Sequence, residues 1–240
     1  MHQKLGLGFA VLLSVQAAVA EENALKGEGE LGITHTSGNT KTQSLVGKFG
    51  LTYQQTSSWK HEAQLEMLRS ENDESLTAER YGLNLQSNYS LSKQSYLFGQ
   101  LRYEDDSFSG YDYQGSLTFG YGHNVIDTER TGLKLKAGIG ARQLQLETAS
   151  DSELETIGVF GLNFRQKIAT HSEFTQDFLV EMGVEAGAEN TYSESNTGFK
   201  VNVTDKVAMK FSMLIKNNSE VPPDREKTDT ITAVTLVYSF

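Results

Sequence analysis

The sequence predicts an all-β protein, a transmembrane antiparallel up-and-down β-barrel of 12 strands, and three observations support this fold class. Apolar and polar residues alternate with a period of two through most of the chain, which is typical of strands with one apolar and one polar face. The mean hydropathy of −0.42 excludes a bundle of transmembrane helices, because each helix needs about 20 mainly apolar residues. Short connections alternate with mostly longer ones, as a barrel with periplasmic turns and outer loops requires.

The amino terminus has the pattern of a secretory signal peptide. Lys4 is followed by 16 uncharged residues that end in Ala18-Val19-Ala20. A short positive region, an apolar region and a small-x-small site predict cleavage after Ala20. We therefore expect a cleaved signal peptide over residues 1–20 and a single outer-membrane β-barrel domain over residues 21–240. The mature chain would reach the cell outer membrane by export through the periplasm.

Composition excludes several other function classes. The chain has no cysteine, which rules out a disulfide framework, a thiolate zinc site and a cysteine nucleophile. Its net charge of −10 argues against nucleic acid as a partner, because phosphates are bound by Lys and Arg. We expect no cofactor and no enzyme activity.

Alternating segments can be placed between turn signals along the whole mature chain. One clear example has Met209, Phe211 and Met213 on one face and Lys210 and Ser212 on the other. The predicted strands cover residues 27–38, 41–56, 59–71, 77–91, 94–106, 110–123, 131–148, 152–168, 171–187, 191–203, 206–219 and 227–240. Their even number fits a bacterial single-chain barrel, which starts and ends on the periplasmic side.

Alternation alone does not distinguish a membrane barrel from a soluble sandwich, because both have strands with one apolar face. Aromatic residues at the ends of the apolar faces favour the membrane barrel, in which such rings lie at the two interfaces. The aromatic residues concerned are Tyr53, Trp59, Tyr81, Tyr89, Tyr103, Tyr111, Tyr121 and Tyr238. The last strand also ends in apolar residues at every second position: Val234, Leu236, Tyr238 and Phe240.

Both ends of the mature chain resemble known sequences. The carboxy-terminal Val-Tyr-Ser-Phe resembles the assembly signal that the barrel-insertion machinery reads in Gram-negative outer-membrane proteins. The segment Gly29-Glu30-Leu31-Gly32-Ile33-Thr34-His35-Thr36-Ser37-Gly38-Asn39-Thr40 resembles the opening of the YdiY-like, salt-induced outer-membrane protein family, a domain of unknown function. This resemblance implies an outer-membrane barrel linked by name to salt, and it supplies no catalytic residues.

Motifs of other chemistries have simpler explanations. Residues 27–32 match the GxGxxG pattern, but no strand precedes them and no helix follows. Inward glycines such as Gly120 and Gly138 are expected to let strands coil. His35 and Ser37 share a strand face near the outer rim and resemble the His-x-Ser pair of the outer-membrane phospholipase family. This makes a lipid hydrolase an alternative function, although Ser37 is expected within the turn and no orienting acid is identifiable beside it.

The inward faces of the predicted strands carry many charges, and two accounts of them stay open. One is a self-neutralising network in a narrow or occluded lumen, with a structural or envelope and salt-stress role. The other is a passive pore for small solutes, with a transverse field set by basic residues of strands seven and eight and acidic residues of strands three and nine. The charged residues expected to line the lumen are Glu28, Glu30, Lys48, Glu62, Glu66, Arg80, Arg102, Glu104, Lys134, Lys136, Arg142, Arg165, Lys167, Asp177, Glu181 and Lys210.

Acidic residues also gather at the predicted outer loops. We expect outer-membrane lipids and lipopolysaccharide to be partners there, with at most weak, salt-sensitive binding of divalent cations, because no loop has the spacing of a dedicated calcium site. We expect no metal site, and the sequence leaves the oligomeric state open. The acidic residues concerned are Glu71, Asp73, Glu74, Asp105, Asp106, Asp151, Glu153, Glu189, Glu194, Asp224 and Glu226.

Overall fold

The computed structural model describes residues 24–37, 43–71, 76–106, 111–146, 152–185, 190–221, 223 and 225–240. The predicted signal peptide, residues 1–20, lies outside the described residues. Among the described residues, no helix is long and apolar enough to cross a membrane. The strands are β1 (Ala24–Ser37), β2 (Gln43–Gln54), β3 (Trp59–Glu71), β4 (Leu76–Ser90), β5 (Ser95–Asp106), β6 (Tyr111–Asp127), β7 (Thr131–Leu146), β8 (Glu153–Ala169), β9 (Ser172–Gly183), β10 (Thr191–Asn202), β11 (Val207–Asn218) and β12 (Thr228–Ser239).

The 12 strands form one closed antiparallel barrel, which confirms the predicted fold class. Each strand pairs with its neighbours in sequence, and β12 closes the barrel against β1. The first and last residues of every strand lie within four residues of the predicted ones. We call the end that holds Ala24, Phe240 and the short connections the turn end. The opposite end, which holds the connections from β1 to β2 and from β11 to β12, is the loop end.

The outer surface of the barrel is apolar because alternate residues of each strand point away from the interior. Ile33, for example, is 68% exposed on this surface. Aromatic rings collect near both ends. Trp59 packs against Tyr89 near the turn end with ring centroids 5.0 Å apart, and Tyr103 packs against Tyr113 near the loop end at 6.0 Å. Two such bands are typical of proteins whose rings lie at both membrane interfaces.

Strand β6 differs from its predicted course at both ends. A bulge between Tyr111 and Tyr113 shifts the register, so the Tyr111 side chain turns into the barrel. There it is 3% exposed, and its hydroxyl donates to the backbone oxygen of Glu220 at 2.8 Å. The prediction that Tyr111 lies at a membrane interface is therefore wrong, and Tyr113 takes that place. A second bulge, after Asn124, carries the strand to Asp127, beyond its predicted end.

The seam between β1 and β12 closes the barrel at the turn end. Gly27 and Phe240 exchange two backbone hydrogen bonds of 2.9 Å. The Phe240 ring covers Gly27, where an added Cβ would come within 2.1 Å of the ring. The ring also stacks on Phe49 and Tyr238, with centroids 6.4 and 6.3 Å away. Of the residues predicted as an assembly signal, Val234, Leu236 and Tyr238 lie on β12, the strand that closes the barrel, and Phe240 directly follows it.

Inward glycines bring β6 and β7 close together. A Cβ added at Gly140 would lie 2.1 Å from the backbone oxygen of Leu117, and one added at Gly120 would lie 2.2 Å from that of Ala137. Any side chain at these positions would collide with the neighbouring strand. The contacts agree with the reason predicted for these glycines, which is that they let the strands coil.

Candidate functional site: the charged interior

Charged side chains on the inward faces form a network of ion pairs. Twelve of the 16 residues predicted to line the lumen take part in ion pairs within the described part of the chain: Glu28, Glu30, Lys48, Glu62, Glu66, Arg80, Arg102, Glu104, Arg142, Arg165, Glu181 and Lys210. The other four are Lys134, Lys136, Lys167 and Asp177. The network differs between the two halves of the barrel.

In the loop-end half, two ion pairs of the described residues join strands five or six places apart, and we call them the bridging pairs. Arg102 of β5 donates to Glu194 of β10 at 2.7 Å, five strands away around the ring. Glu104 of β5 accepts a hydrogen bond from Lys216 of β11, which is six strands away and therefore directly opposite. The Arg102 guanidinium also lies 5.4 Å from the ring centroid of Tyr192. Side chains from opposite walls therefore meet in the middle of this half.

Glu181 of β9 connects a second arginine to the first bridging pair. Its carboxylate lies 3.5 Å from the guanidinium of Arg102 and 3.9 Å from that of Arg142, and it accepts a hydrogen bond from Ser116 at 2.9 Å. Arg142 also donates to Glu155 at 2.8 Å. Glu181 and Arg142 are only 4% and 1% exposed. Charges this far from water depend on one another, because the loss of one leaves the other buried without its partner.

Apolar contacts and a wall-bound ion triad accompany the bridging pairs. Leu68, Leu214 and Ile231, from β3, β11 and β12, form a buried cluster. On the neighbouring wall, Glu66 accepts a hydrogen bond from Arg80 and lies 2.8 Å from the ammonium of Lys48. The loop-end half therefore contains both charged and apolar side chains that contact one another.

In the turn-end half, the ion pairs follow the wall instead of crossing it. The two partners lie on one strand or at most three strands apart. These pairs are Lys60–Glu62, Arg165–Glu173, Lys200–Glu28 and Lys210–Glu30, with nitrogen to oxygen distances of 2.9, 3.5, 3.4 and 2.7 Å. Their basic side chains are 21% to 39% exposed, so this half holds its charges closer to water.

The four remaining predicted residues also lie on the turn-end half of their strands. The Lys136 ammonium donates to the amide oxygens of Gln86 and Gln100 at 2.9 and 2.8 Å. Lys134, two residues earlier on β7, is exposed, as is Lys167 near the end of β8. Asp177 accepts a hydrogen bond from Asn163 at 2.8 Å. Among the described residues, none of these four has an opposite charge within ion-pair distance.

Six ion-pair partners are not among the predicted residues: Lys60, Glu155, Glu173, Glu194, Lys200 and Lys216. Alternation gives a signal for Lys216, which shares the inward face of β11 with Lys210. Glu194 is predicted in or beside an outer turn and not as a lumen residue; it lies near the start of β10, close to that turn, but its side chain points inward to Arg102. The periodicity of β10 is weak because its outward positions include Ser193 and Ser195 rather than apolar residues.

Several predicted acidic residues of the outer loops lie outside the described residues: Asp73, Glu74, Asp151, Glu189 and Asp224. Asp105 and Asp106 lie at the end of β5, and Glu153 begins β8. In the part of the chain that the structure describes, no group of three or more His, Asp or Glu residues could hold a metal ion.

The candidate hydrolase pair lies on the outer surface of β1. His35 and Ser37 are both exposed near the loop end. Ser37 is predicted within the turn, but it is the last residue of β1. His35 pairs with Gln43 of β2 and Thr232 of β12. Neither partner is an acid, so these positions supply no carboxylate to orient the imidazole.

Solved structures similar to this barrel are outer-membrane proteins. The NanC porin aligns with 90% of this chain and 99% of its own, with a TM-score of 0.59 and 9% identity. The translocator domain of the autotransporter NalP from Neisseria meningitidis has a TM-score of 0.56 and 13% identity over 90% and 88% of the two chains. An outer membrane channel from Pseudomonas putida F1 has a TM-score of 0.54 and 14% identity over 94% and 100%. At these identities the likeness shows the fold alone.

Sequence relatives identify the family. An uncharacterized protein of Escherichia coli K12, YdiY, is 29% identical over 217 residues, which cover 89% of this chain and 83% of the relative. The family described as "Protein of unknown function, DUF481" matches residues 29–240. With this match over most of its length, the chain belongs to the DUF481 family.

Proposed function

We propose that this protein is an outer-membrane barrel with a structural role in the cell envelope, and that its lumen is occluded in the loop-end half. The bridging pairs carry this proposal. Arg102–Glu194 and Glu104–Lys216 join strands five and six places apart on a ring of 12 strands, so their side chains occupy the middle of the lumen. A solute moving along the barrel axis would have to displace them.

The surroundings of the bridging pairs support a stable closure. Glu181 adds contacts to Arg102 and Arg142, and both Glu181 and Arg142 are buried. The apolar cluster of Leu68, Leu214 and Ile231 fills space on another side of the same half. Linked charges that are shielded from water hold their geometry better than isolated surface pairs, which gain little from their attraction.

The outer surface supports a place in the outer membrane. Its apolar band and its two groups of aromatic rings suit lipid chains with an interface at each end. Outer-membrane lipids and lipopolysaccharide are the partners we propose for it. The barrel-insertion machinery is the partner we propose for the strand that carries Phe240, because this strand closes the sheet against β1.

Recording of the refolded barrel in a planar bilayer tests the occluded lumen. We expect no steady conductance from the wild type, and discrete steps from the double variant Arg102→Ala/Lys216→Ala, which removes both bridging pairs. Lys210→Ala is the matched control, because Lys210 pairs with Glu30 along the wall, and it should stay closed. Steady conductance of the wild type would contradict the proposal.

A strain that lacks the gene tests the envelope role. We expect slower growth at high salt and greater sensitivity to detergent, with rescue by the wild-type gene and by the Lys210→Ala variant. Because the family resemblance links such barrels to salt by name, the comparison of low and high salt is the informative one. Equal growth of the two strains under both stresses would contradict an envelope role.

A passive pore is the second candidate function. The observation that favours it is the polar wall of the turn-end half, where ion pairs do not cross the lumen, together with the porin and the channel among the similar structures. In this case the bridging pairs would narrow a conducting lumen instead of closing it. The same bilayer recording distinguishes the candidates, because a pore would conduct in the wild type and change its conductance in Arg142→Glu or Lys134→Glu.

A further inference from the structure

Cations on β7 and β8 exceed the carboxylates that pair with them in the turn-end half. We call Lys134, Lys136 and Arg165 the basic wall. Arg165 lies 3.5 Å from Glu173, but Lys134 and Lys136 have no carboxylate within ion-pair distance in the described part of the chain. Every other lysine named above in an ion pair has a carboxylate within 3.4 Å or less. The basic wall therefore carries positive charge that the protein itself does not neutralise by direct contact.

Lys136 is the most unusual member of the basic wall. It is only 9% exposed, its ammonium donates to the neutral amides of Gln86 and Gln100, and it lies 5.1 Å from the ring centroid of Phe98. A buried cation ordinarily has an anionic partner, because amide oxygens carry no formal charge. An ammonium has three donors, and the two amides use only two of them. The third has no hydrogen-bond acceptor among the described residues.

Lys134 lies beside Lys136 on the inward face of β7. The two residues are separated by one position, so both side chains leave the strand on the same side, about 7 Å apart at the backbone. Lys134 also interacts electrostatically with Lys60 and Arg165, which carry the same sign of charge. An anion placed among these groups would relieve their mutual repulsion.

Two glycines let the basic side chains lie along the wall. Lys136 faces Gly161 across β7 and β8, and a Cβ at Gly161 would come within 2.7 Å of the Lys136 side chain. Arg165 faces Gly132 in the same way, with its guanidinium 3.5 Å from such a Cβ. The aliphatic part of Lys136 passes over Gly161 before its ammonium reaches Gln86 of β4 and Gln100 of β5, so both glycines leave room for basic side chains at this wall.

Two of the nearby carboxylates, Glu62 and Asp177, are already engaged, whereas Asp127 at the end of β6 acts on Lys134 only from beyond ion-pair distance. Glu62 interacts with Lys134 and Lys136 at longer range, but it accepts hydrogen bonds from Lys60 and Asn88 at 2.9 Å. Asp177 accepts from Asn163. These bonds hold the two carboxylates away from the basic wall, which keeps its donors available.

We propose that the basic wall binds a small anion with a carboxylate or phosphate group, which enters from the turn end. Lys134 and Lys136 would donate to its oxygens, and Arg165 would add the fork of donors that suits both groups. The direction of entry rests on the proposed closure of the loop-end half, because the bridging pairs would block the other route. The binding itself does not depend on that closure.

Calorimetric titration of the refolded full-length barrel with inorganic phosphate and, separately, with citrate tests the site. We expect saturable binding of at least one probe, weakened about tenfold or more in Lys134→Gln/Lys136→Gln, because hydrogen bonds to charged groups contribute on that scale. Lys48→Gln is the matched control, since Lys48 is a lumen lysine of the other half with Glu66 as its partner. The control should bind like the wild type.

Three results separate this site from the proposed function. The absence of saturable binding for both probes, or an equal loss in Lys48→Gln, would overturn the anion site and leave the closed lumen untouched. Steady conductance of the wild type would overturn the closure and leave the anion site untouched. If both proposals hold, Arg102→Ala/Lys216→Ala conducts and still binds the probe with wild-type affinity. A heat-dependent shift in gel migration checks that each variant has folded.

Discussion

The loop-end and turn-end halves of the interior both contain many charges, but they hold them differently. In the loop-end half, Arg102 and Glu104 reach strands on the opposite wall, and the carboxylate of Glu181 is almost fully buried. In the turn-end half, pairs such as Arg165–Glu173 stay on the wall and remain partly exposed. The difference shows that charges in one barrel lumen can be paired in two ways, across the space between the walls or along one wall.

The position of each half in the sheet explains part of the difference. Arg102 and Glu104 stand two residues apart on the same face of β5, so one strand supplies both bridging pairs. At the turn end, Gly132 leaves room for the guanidinium of Arg165, and Gly161 leaves room for the aliphatic part of Lys136, whose ammonium reaches Gln86 and Gln100. Backbone spacing and the placement of glycine therefore both affect where a long side chain can lie in the lumen.

The largest effect is expected at the seam that closes both halves. Phe240→Asp places a charge beside Phe49 and Tyr238 on the apolar surface and removes the ring that covers Gly27. We expect most of the chain to remain unfolded or to be degraded in the periplasm, because the last strand must pair with β1 before either half exists. Outer-membrane levels on a gel measure this. Phe178→Asp, an apolar surface residue of β9 away from the seam, is the control, and equal losses in both variants would contradict a special role for the terminus.

The next largest effect compares one buried and one partly exposed carboxylate. Glu181→Ala removes a partner of Arg102 and Arg142 in the loop-end half, and we expect it to lower the free energy of unfolding by about 3 kcal/mol, as breaking a buried pair does. Glu173→Ala removes the partner of the exposed Arg165, and the loss should stay below about 1 kcal/mol. Urea unfolding in vesicles, followed by the fluorescence of Trp59, measures both values. Equal losses would show that the halves do not differ in this respect.

A third prediction concerns glycines that face the interior. Gly161→Ala places a methyl group within 2.7 Å of the Lys136 side chain. Lys136 must then move away from Gln86 and Gln100, and we expect the free energy of unfolding to fall by about 1 kcal/mol. Gly82→Ala in the loop-end half meets only the Cβ of Glu66 at 3.7 Å, which is an ordinary contact. Its stability should stay within about 0.5 kcal/mol of the wild type. The same unfolding experiment compares the two, and a costly Gly82→Ala would contradict the packing argument.

The strands could be predicted because period-two alternation is a local property of the sequence. The inward position of Tyr111 could not be predicted. One extra residue in a bulge reverses the face of every residue beyond it, and the residue types around Tyr111 give no clear sign of the bulge. Strand β10 shows a second limit. Its outward Ser193 and Ser195 weaken the contrast between the faces, so alternation does not reveal that Glu194 faces the interior.

The partners of the interior charges were harder to predict than the charges themselves. Alternation predicts that Arg102 and Glu181 point inward, but it does not say which side chain lies across the lumen. That depends on the diameter of the barrel, the stagger of its strands and the length of each side chain. The contrast between crossing pairs and wall pairs is consequently a property of the closed barrel, whereas the excess of basic residues on β7 and β8 is already present in the sequence.

The smallest expected effect concerns salt, and it sharpens the comparison of the two halves. The screening length falls from about 10 Å at 0.1 M to about 3 Å at 1 M ionic strength, and water must reach a pair for salt to screen it. The side chains of Arg165 and Glu173 are 39% and 23% exposed. The loss of unfolding free energy caused by Glu173→Ala should therefore fall to nearly zero at 1 M sodium chloride. Glu181 is 4% exposed, so Glu181→Ala should keep most of its cost. Unfolding of the wild type and both variants at the two salt concentrations measures this difference. If salt reduced both costs equally, water and ions would reach the loop-end pairs freely, and the closure proposed for that half would be wrong.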